Sequence, residues 1–312
     1  MRVLVAGATG AVGRPLLRLL RERGHELLGT TRSEAKANAL RELGAEPVIC
    51  DALDRESLRR AVLAATPKAI VNQLTDLSMP LNPRKYAEWI EPTNRLRIEG
   101  TRNLAEAAVE AGTRLLVSQS VAFAYRWDGD GLKTEDDPLF DDAPGGFDRA
   151  VAALRELERL TLETAGLDGI VLRYGYFYGP GTSYARGGQF AEMTRSRKFP
   201  IVGSGRGRFS FVHVEDAAAA TLAAVEDARG GVYNIVDDEP AELREWLPFY
   251  AESLGAKPPR RVPRWLARIF AGPFMAESSV KLRGASNDKA KRELGWRPRW
   301  TSWKEGFREA LG

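Results

Sequence analysis

Cysteine and histidine are nearly missing from this chain. A single cysteine, Cys50, in 312 residues excludes an internal disulfide, and its apolar setting in "EPVICD" predicts a packed small hydrophobe. Only two histidines, His25 and His213, argue against a histidine-rich metal centre, and no metal is expected. No apolar run reaches the length of a membrane span, so no membrane partner is expected. Strand-like residues follow directly on Met1, which argues against a signal peptide and predicts a cytoplasmic protein. Charge of one sign is not in large excess: the net charge is +4, with both signs interspersed. That balance argues against nucleic acid and points to a small, anionic molecule as partner.

What is present is a regular alternation. Short apolar runs ("RVLVAGA", "HELLGTTR", "AEPVICD", "AIVNQLTD", "RLLVSQSVAF", "DGIVLRYGYFYG") alternate with helical patterns. Ser33 and Asp54 stand where helix caps are expected, and "NRLRIEGTRNLAEAAVEAG" reads as one long helix. Strands separated by helices need crossover connections, hence a parallel sheet covered on both faces. The expected fold class is α/β, a doubly wound parallel (Rossmann) sheet with a smaller, mostly C-terminal substrate lid. After Tyr178 come a Gly-rich stretch, the helical pattern "EDAAAATLAAVEDA", one more strand in "GGVYNIVDD", and a tail with five tryptophans read as lid core. The expected division is 1–178 with 209–237 for the dinucleotide-binding domain, and 179–208 with 238–312 for the lid.

Between the first strand and first helix stands "GATGAVG", with Gly7, Gly10 and Gly13. One glycine permits the turn, one lets the backbone approach a pyrophosphate, and one lets helix and strand pack closely. Thr9, Ala11 and Val12 complete the loop, whose amides would face the phosphates at the helix mouth. The second strand ends in Thr30, Thr31 and Arg32, with no acid to bond a ribose diol. Thr31, Arg32 and Ser33 therefore predict a 2′-phosphate, and the expected cofactor is NADP (NADPH). Asp51 and Ala52, at the end of the third strand, are placed by the adenine. Leu74 and Thr75, at the end of the fourth, are placed over the pyrophosphate and ribose.

These motifs, with "GTRNLAEAA", "SQSVAFAY", "LRYGYFYGPG", "FSFVHVEDAAAA", "YNIVDD" and "KRELGW", resemble the extended short-chain dehydrogenase/reductase family, its nucleotide-sugar epimerase and dehydratase group. The resemblance implies four active-site positions: an asparagine, a serine or threonine, and a tyrosine with a lysine four residues on. Ser120 fits the serine. The asparagine position falls on Arg97, with Asn94 one turn earlier, and the tyrosine and lysine positions fall on Phe147 and Val151. No Tyr lies between Tyr125 and Tyr174, and no Lys between Lys133 and Lys198, so a shifted register restores neither.

Another group must then move the proton. The catalytic candidates are Ser120, Tyr176 and Arg97, the last as a cation that favours an ionised phenol. The substrate candidates are Tyr125, Arg186, Gln189 and Arg208. His213 and Asp216 read as support residues. The leading expectation is an atypical NADP(H)-dependent oxidoreductase or epimerase/dehydratase-like enzyme with a relocated proton donor, acting on a small substrate that the resemblance makes a nucleotide sugar. Two alternatives stand beside it: a non-catalytic NADP(H) sensor and a redox-neutral lyase or isomerase. The resemblance also implies a homodimer, paired through the helices at 94–112 and 150–163.

Overall fold

A computed structural model describes residues 1–77, 79–226 and 229–311. The last two positions of "EDAAAATLAAVEDA" lie outside the described residues. The strands are β1 Arg2–Ala6, β2 Glu26–Thr31, β3 Glu46–Ile49, β4 Ala69–Asn72, β5 Leu115–Val121, β6 Asp168–Tyr174, β7 Tyr176–Tyr178, β8 Ile201–Val202, β9 Arg208–Phe209, β10 Phe211–His213, β11 Gly231–Ile235, β12 Ala241–Glu242 and β13 Arg261–Val262. The helices are α1 Gly13–Glu22, α2 Glu34–Glu42, α3 Arg55–Ala65, α4 Tyr86–Arg95, α5 Thr101–Glu110, α6 Phe147–Glu163, α7 Gln189–Arg195, α8 Val214–Glu226, α9 Leu243–Ser253, α10 Arg264–Lys281, α11 Asp288–Glu293 and α12 Trp303–Leu311.

Seven strands form one parallel sheet in the order β3-β2-β1-β4-β5-β6-β11. The order reverses between β1 and β4, and the crevice at their carboxyl ends is where such sheets bind ligands. Alternation along β1 feeds two cores. Val3 and Val5 join Leu16, Leu17 and Leu20 of α1 and the alanines of α8, while Leu4 and Ala6 join α3 and α5 on the other face. Each fully buried Leu contributes roughly 1.5–3 kcal/mol. A further core gathers Tyr184, Phe211, Trp246, Tyr250, Trp303 and Phe307 around α9 and α12.

Several expectations need correction. The helix expected at 94–112 starts earlier, at Tyr86, and runs helically to Glu110 with a π-helical turn, Leu96–Gly100, inside it. The sixth strand is broken at Gly175, where a Cβ would lie 2.5 Å from the carbonyl oxygen of Ser210. The chain leaves the main sheet there, and β7 pairs with β10 instead. Phe209 and Phe211 face the C-terminal core, while Val212, next along the chain, faces the main one. The tryptophan tail divides as well: Trp246 and Trp303 sit in the C-terminal core, Trp296 packs into the main core, and Trp265 is exposed. Ser33 occupies the N-cap position of α2 without a side-chain cap bond, whereas Asp54 caps Ser57 at 3.0 Å.

Candidate active site

The cradle begins where β1 runs out. Gly7 has φ +89°, and a Cβ there would lie 2.5 Å from the carbonyl oxygen of Gln73. A Cβ on Gly13 would lie 2.5 Å from the Gly7 carbonyl, so helix and turn pack at backbone distance. Gly10 differs. Its amide donates to Gly7 at 3.0 Å, and it meets only its own loop on the side a methyl would occupy. The mouth of α1 carries no side-chain cap and no acid in its first turn. Unpaired amides with no competing carboxylate fit a pyrophosphate, and each charge-assisted bond there is worth about 1.5–3 kcal/mol. Thr9 and Ala11 are half-buried along the loop, and Val12 is buried.

At the end of β2, Thr31 is buried and its hydroxyl turns back to Ser33 at 3.3–3.4 Å. Arg32 is exposed and has no ion-pair partner among the described residues. Asp51 is a turn residue that accepts the Leu53 amide at 2.9 Å, and the Ala52 carbonyl accepts from Asn103. Ala52 and Leu74 converge on Gly100, whose absent Cβ would be 3.7–3.8 Å from each. Thr75 is exposed beyond them.

At the two positions where a tyrosine and a lysine were expected, the structure is filled with hydrocarbon. Phe147 and Val151 are each 1% exposed. Phe147 stacks on Phe274 with ring centroids 3.9 Å apart, and Phe123 and Tyr86 flank it at 6.3 and 5.9 Å. Phe274 arrives from α10, which breaks at Gly272 (φ 79°, ψ 162°) before Pro273 and packs over the turn at Pro144–Gly146.

Ser120 and Tyr125 do not open toward this region. Ser120 donates to Glu158 at 2.6 Å, and Glu158 is held bidentately by Arg173 at 2.9 and 2.6 Å. Arg173 also donates to the Tyr125 hydroxyl at 2.8 Å, which donates onward to Asn234 at 2.7 Å. Burial pushes the Tyr125 phenol up to about 12. Ser120, expected in catalysis, and Tyr125, expected at the substrate, thus stand in one buried polar network in which both hydroxyls are engaged.

Tyr176 and Arg97 stand differently. Tyr176 is half-buried, stacked on Phe123 at 4.4 Å, and its hydroxyl has no hydrogen-bond partner among the described residues. Arg97 lies on the π-helical turn, 9% exposed, with one bond to Asn94 at 3.3 Å. Burial lowers its pKa to about 10, and Tyr86 opposes the shift. A residue not anticipated from the sequence therefore joins the site. Tyr86 opens α4, its phenol is raised to about 12 by burial, and Arg97 draws it back. At neutral pH this gives a guanidinium beside a protonated phenol. Burial, and then Tyr86, push the Tyr176 phenol up as well. A helix-start signal was present in "NPRKYAEW": Asn82 accepts the Arg84 amide ahead of Pro83 at the first turn.

The lid candidates are dispersed. Gln189 clasps the Leu81 backbone through two bonds, 2.8 and 2.9 Å, tying α7 to the loop after β4. Arg186 is exposed, and its carbonyl accepts from Arg195. Arg208 borders a small cavity shared with Phe123, Gly175 and Ser210. His213 supports Trp300, with ring centroids 3.9 Å apart, and Asp216 accepts the amides of Arg299 and Trp300. Among the described residues no cluster of His, Cys, Asp and Glu could hold a metal ion, and no helix is long and apolar enough to cross a membrane.

A model of the NAD dependent epimerase/dehydratase family matches residues 3–236. The chain belongs to that family. It is an enzyme of the oxidoreductase and epimerase kind, and the family is nicotinamide-dinucleotide dependent. It is 47% identical over 310 residues to a 3-diazoavenalumate denitrifying reductase from a Streptomyces species, covering 98% of this chain and 99% of that protein. It is 29% identical to a 4-hydroxy-2-methyl-3-oxo-4-farnesyl-3,4-dihydroquinoline-1-oxide ketoreductase from Stigmatella aurantiaca, covering 96% of this chain and 93% of the relative. Among solved structures, a human epimerase family protein with NADPH matches with TM-score 0.77 at 23% identity, over 100% of this chain and 99% of that one, a likeness of fold.

Proposed function

We propose that this enzyme is an NADPH-dependent reductase that removes the nitrogen of a small diazo compound. The observation that carries this reading is the apolar burial of Phe147 and Val151, at 1% exposure each, where a phenol and an ammonium were expected. It is supported by the full-length likeness to a denitrifying reductase. Reduction of a ketone makes an alkoxide that must be protonated, and a positioned acid there is worth ~10²–10⁴-fold in rate. At an arenediazonium carbon, hydride forms the new C–H bond as the C–N bond breaks and dinitrogen leaves with its electron pair, so no proton need be delivered to the reacting carbon. When bound, the reduced nicotinamide supplies that hydride.

The chain's own residues bind and orient. In this reading Gly7, Gly10 and Gly13 with Thr9, Ala11 and Val12 form the pyrophosphate seat. Arg32, with Thr31 and Ser33, meets the 2′-phosphate. Asp51 and Ala52 line the adenine, and Leu74 and Thr75 the ribose side. The aromatic group around Phe123 and Phe147 excludes water, and the lid at 179–208 and 238–312 closes over the substrate, with Gln189 as its clasp. A second reading, ketone reduction with Tyr176 as donor, is favoured by its unpartnered hydroxyl and by the ketoreductase relative.

The test is to give the purified enzyme NADPH and 3-diazoavenalumate carrying labelled nitrogen. One labelled dinitrogen per NADPH oxidised is expected. NADPH oxidation with ketones and no dinitrogen from the diazo compound selects the second reading. Dinitrogen without NADPH oxidation selects redox-neutral chemistry.

A further inference from the structure

The chain buries two arginines deeply beside its candidate site, and they are treated differently. Arg173 is 6% exposed and fully matched, with Glu158 bonded to two of its nitrogens and Tyr125 to the third. Arg97 is 9% exposed and faces no carboxylate among the described residues; its one hydrogen bond is to the neutral oxygen of Asn94. Among the described residues Tyr86 is the one ionisable group that acts on it, and that phenol is neutral near pH 7. A buried guanidinium without a counter-charge is expensive, and folded proteins rarely keep one. The π-helical turn at Leu96–Gly100 is the kind of local irregularity that accompanies functional positions.

We infer that Arg97 is the seat of the substrate's carboxylate, flanked by the phenols of Tyr86 and Tyr176. This inference rests on the reductase reading and names the substrate as a planar, conjugated carboxylate. The geometry supplies both halves of such a molecule. A guanidinium presents a planar fork that matches carboxylate oxygens bidentately, which an ammonium cannot do. The hydroxyls of Tyr86 and Tyr176 have no partner among the described residues and can donate to the same oxygens. The ring of Tyr86 lies 5.9 Å from Phe147, Phe147 lies 6.3 Å from Phe123, and Phe123 stacks on Tyr176 at 4.4 Å, so a run of aromatic rings joins the two phenols. A flat π system extending from a carboxylate on Arg97 meets these faces, which favour offset or edge contacts. The cofactor's own phosphates have a separate seat at the mouth of α1, among the amides of the glycine loop.

The experiment uses the full chain loaded with NADP and two probes of equal shape, trans-cinnamate and its neutral amide, measured by calorimetry. The wild type should prefer cinnamate, and Arg97→Met should lose that preference with a cinnamate affinity ~10–100-fold lower, the range of a charge-assisted bond. Arg97→Lys should keep part of the preference. NADPH affinity should be unchanged in both, and Arg97→Met should melt no lower than the wild type, because it removes an unbalanced buried charge. Equal binding of the two probes by the wild type overturns the inference, as does undiminished cinnamate binding by Arg97→Met. A parallel loss of NADPH affinity places the guanidinium on the cofactor and overturns it too. If Arg97→Met does not fold, the Lys variant decides by the same preference. Dinitrogen release measured alongside separates the two claims: release without carboxylate preference removes the seat and leaves the reaction, and preference without release does the reverse.

Discussion

Ser120→Ala separates a structural hydroxyl from a catalytic one. Ser120 donates to Glu158 at 2.6 Å inside a network whose carboxylate is already held twice by Arg173. Loss of the hydroxyl leaves both Arg173 bonds intact, so the cost lies at the low end for charged hydrogen bonds, about 1.5 kcal/mol. At roughly 2–4 °C per kcal/mol for a chain of this order, the melting temperature falls by about 3–6 °C. Glu158→Gln should be worse, about 3–5 kcal/mol, because it leaves the Arg173 charge buried and unbalanced. The double variant should cost less than the sum, since both changes act on one network. Thermal unfolding by circular dichroism reads stability, and dinitrogen release or NADPH oxidation at saturating substrate reads kcat. The expected result is a lower melting temperature with kcat retained. A fall in kcat of ~10²-fold or more, the size of a lost acid–base group, with an unshifted melting temperature, would refute the structural assignment and return Ser120 to the chemistry.

Other outcomes follow from the same geometry. Arg32→Ala should weaken NADPH binding by ~10–100-fold and leave NADH binding alone, as fluorescence titration can show. Gly10→Ala should keep the apo melting temperature yet lose NADPH binding, whereas Gly7→Ala, with φ +89° and a carbonyl 2.5 Å away, should yield little folded protein. Two neighbours shape the acid response in opposite directions. Burial lowers His213 from 6.5 to about 4, so the unfolded chain binds more protons in that window and stability rises with pH. Burial raises Asp216 from 3.8 to about 6, so the folded chain binds more protons there and stability falls with pH. Relative to wild type, His213→Gln should lower the slope of stability against pH between 4 and 6, and Asp216→Asn should raise it. Parallel slopes in denaturant titrations would contradict both directions.

The sheet was legible because its strands are short apolar runs buried on both faces, as in "RVLVA" and "AIVN", and the glycine loop was legible as a tight turn from its place between the first strand and the first helix. The breaks were not legible. Gly175 reads as one more residue of a strand until the Ser210 carbonyl is seen against it. The π-helical turn adds a residue to a helix without disturbing its apolar pattern, so the sequence places Arg97 on a plain helix and hides its pairing with Tyr86. Ser120 and Tyr125 were read by position along the chain, which does not reveal which way a side chain turns at a strand end. Arg173 in the apolar run "IVLRY" was the visible sign of a buried ion pair, because a lone cation in a core strand needs a partner.

The break in α10 at Gly272 bears on any attempt to redesign this site. It carries Phe274 onto Phe147, so the space where a phenol and an ammonium were expected is occupied by stacked rings. Reinstating Tyr at 147 and Lys at 151 would strand an ammonium among those rings unless Phe274 and the bend behind it withdrew at the same time. Restoring a phenol and an ammonium here therefore calls for a coordinated change in α10 as well as at 147 and 151.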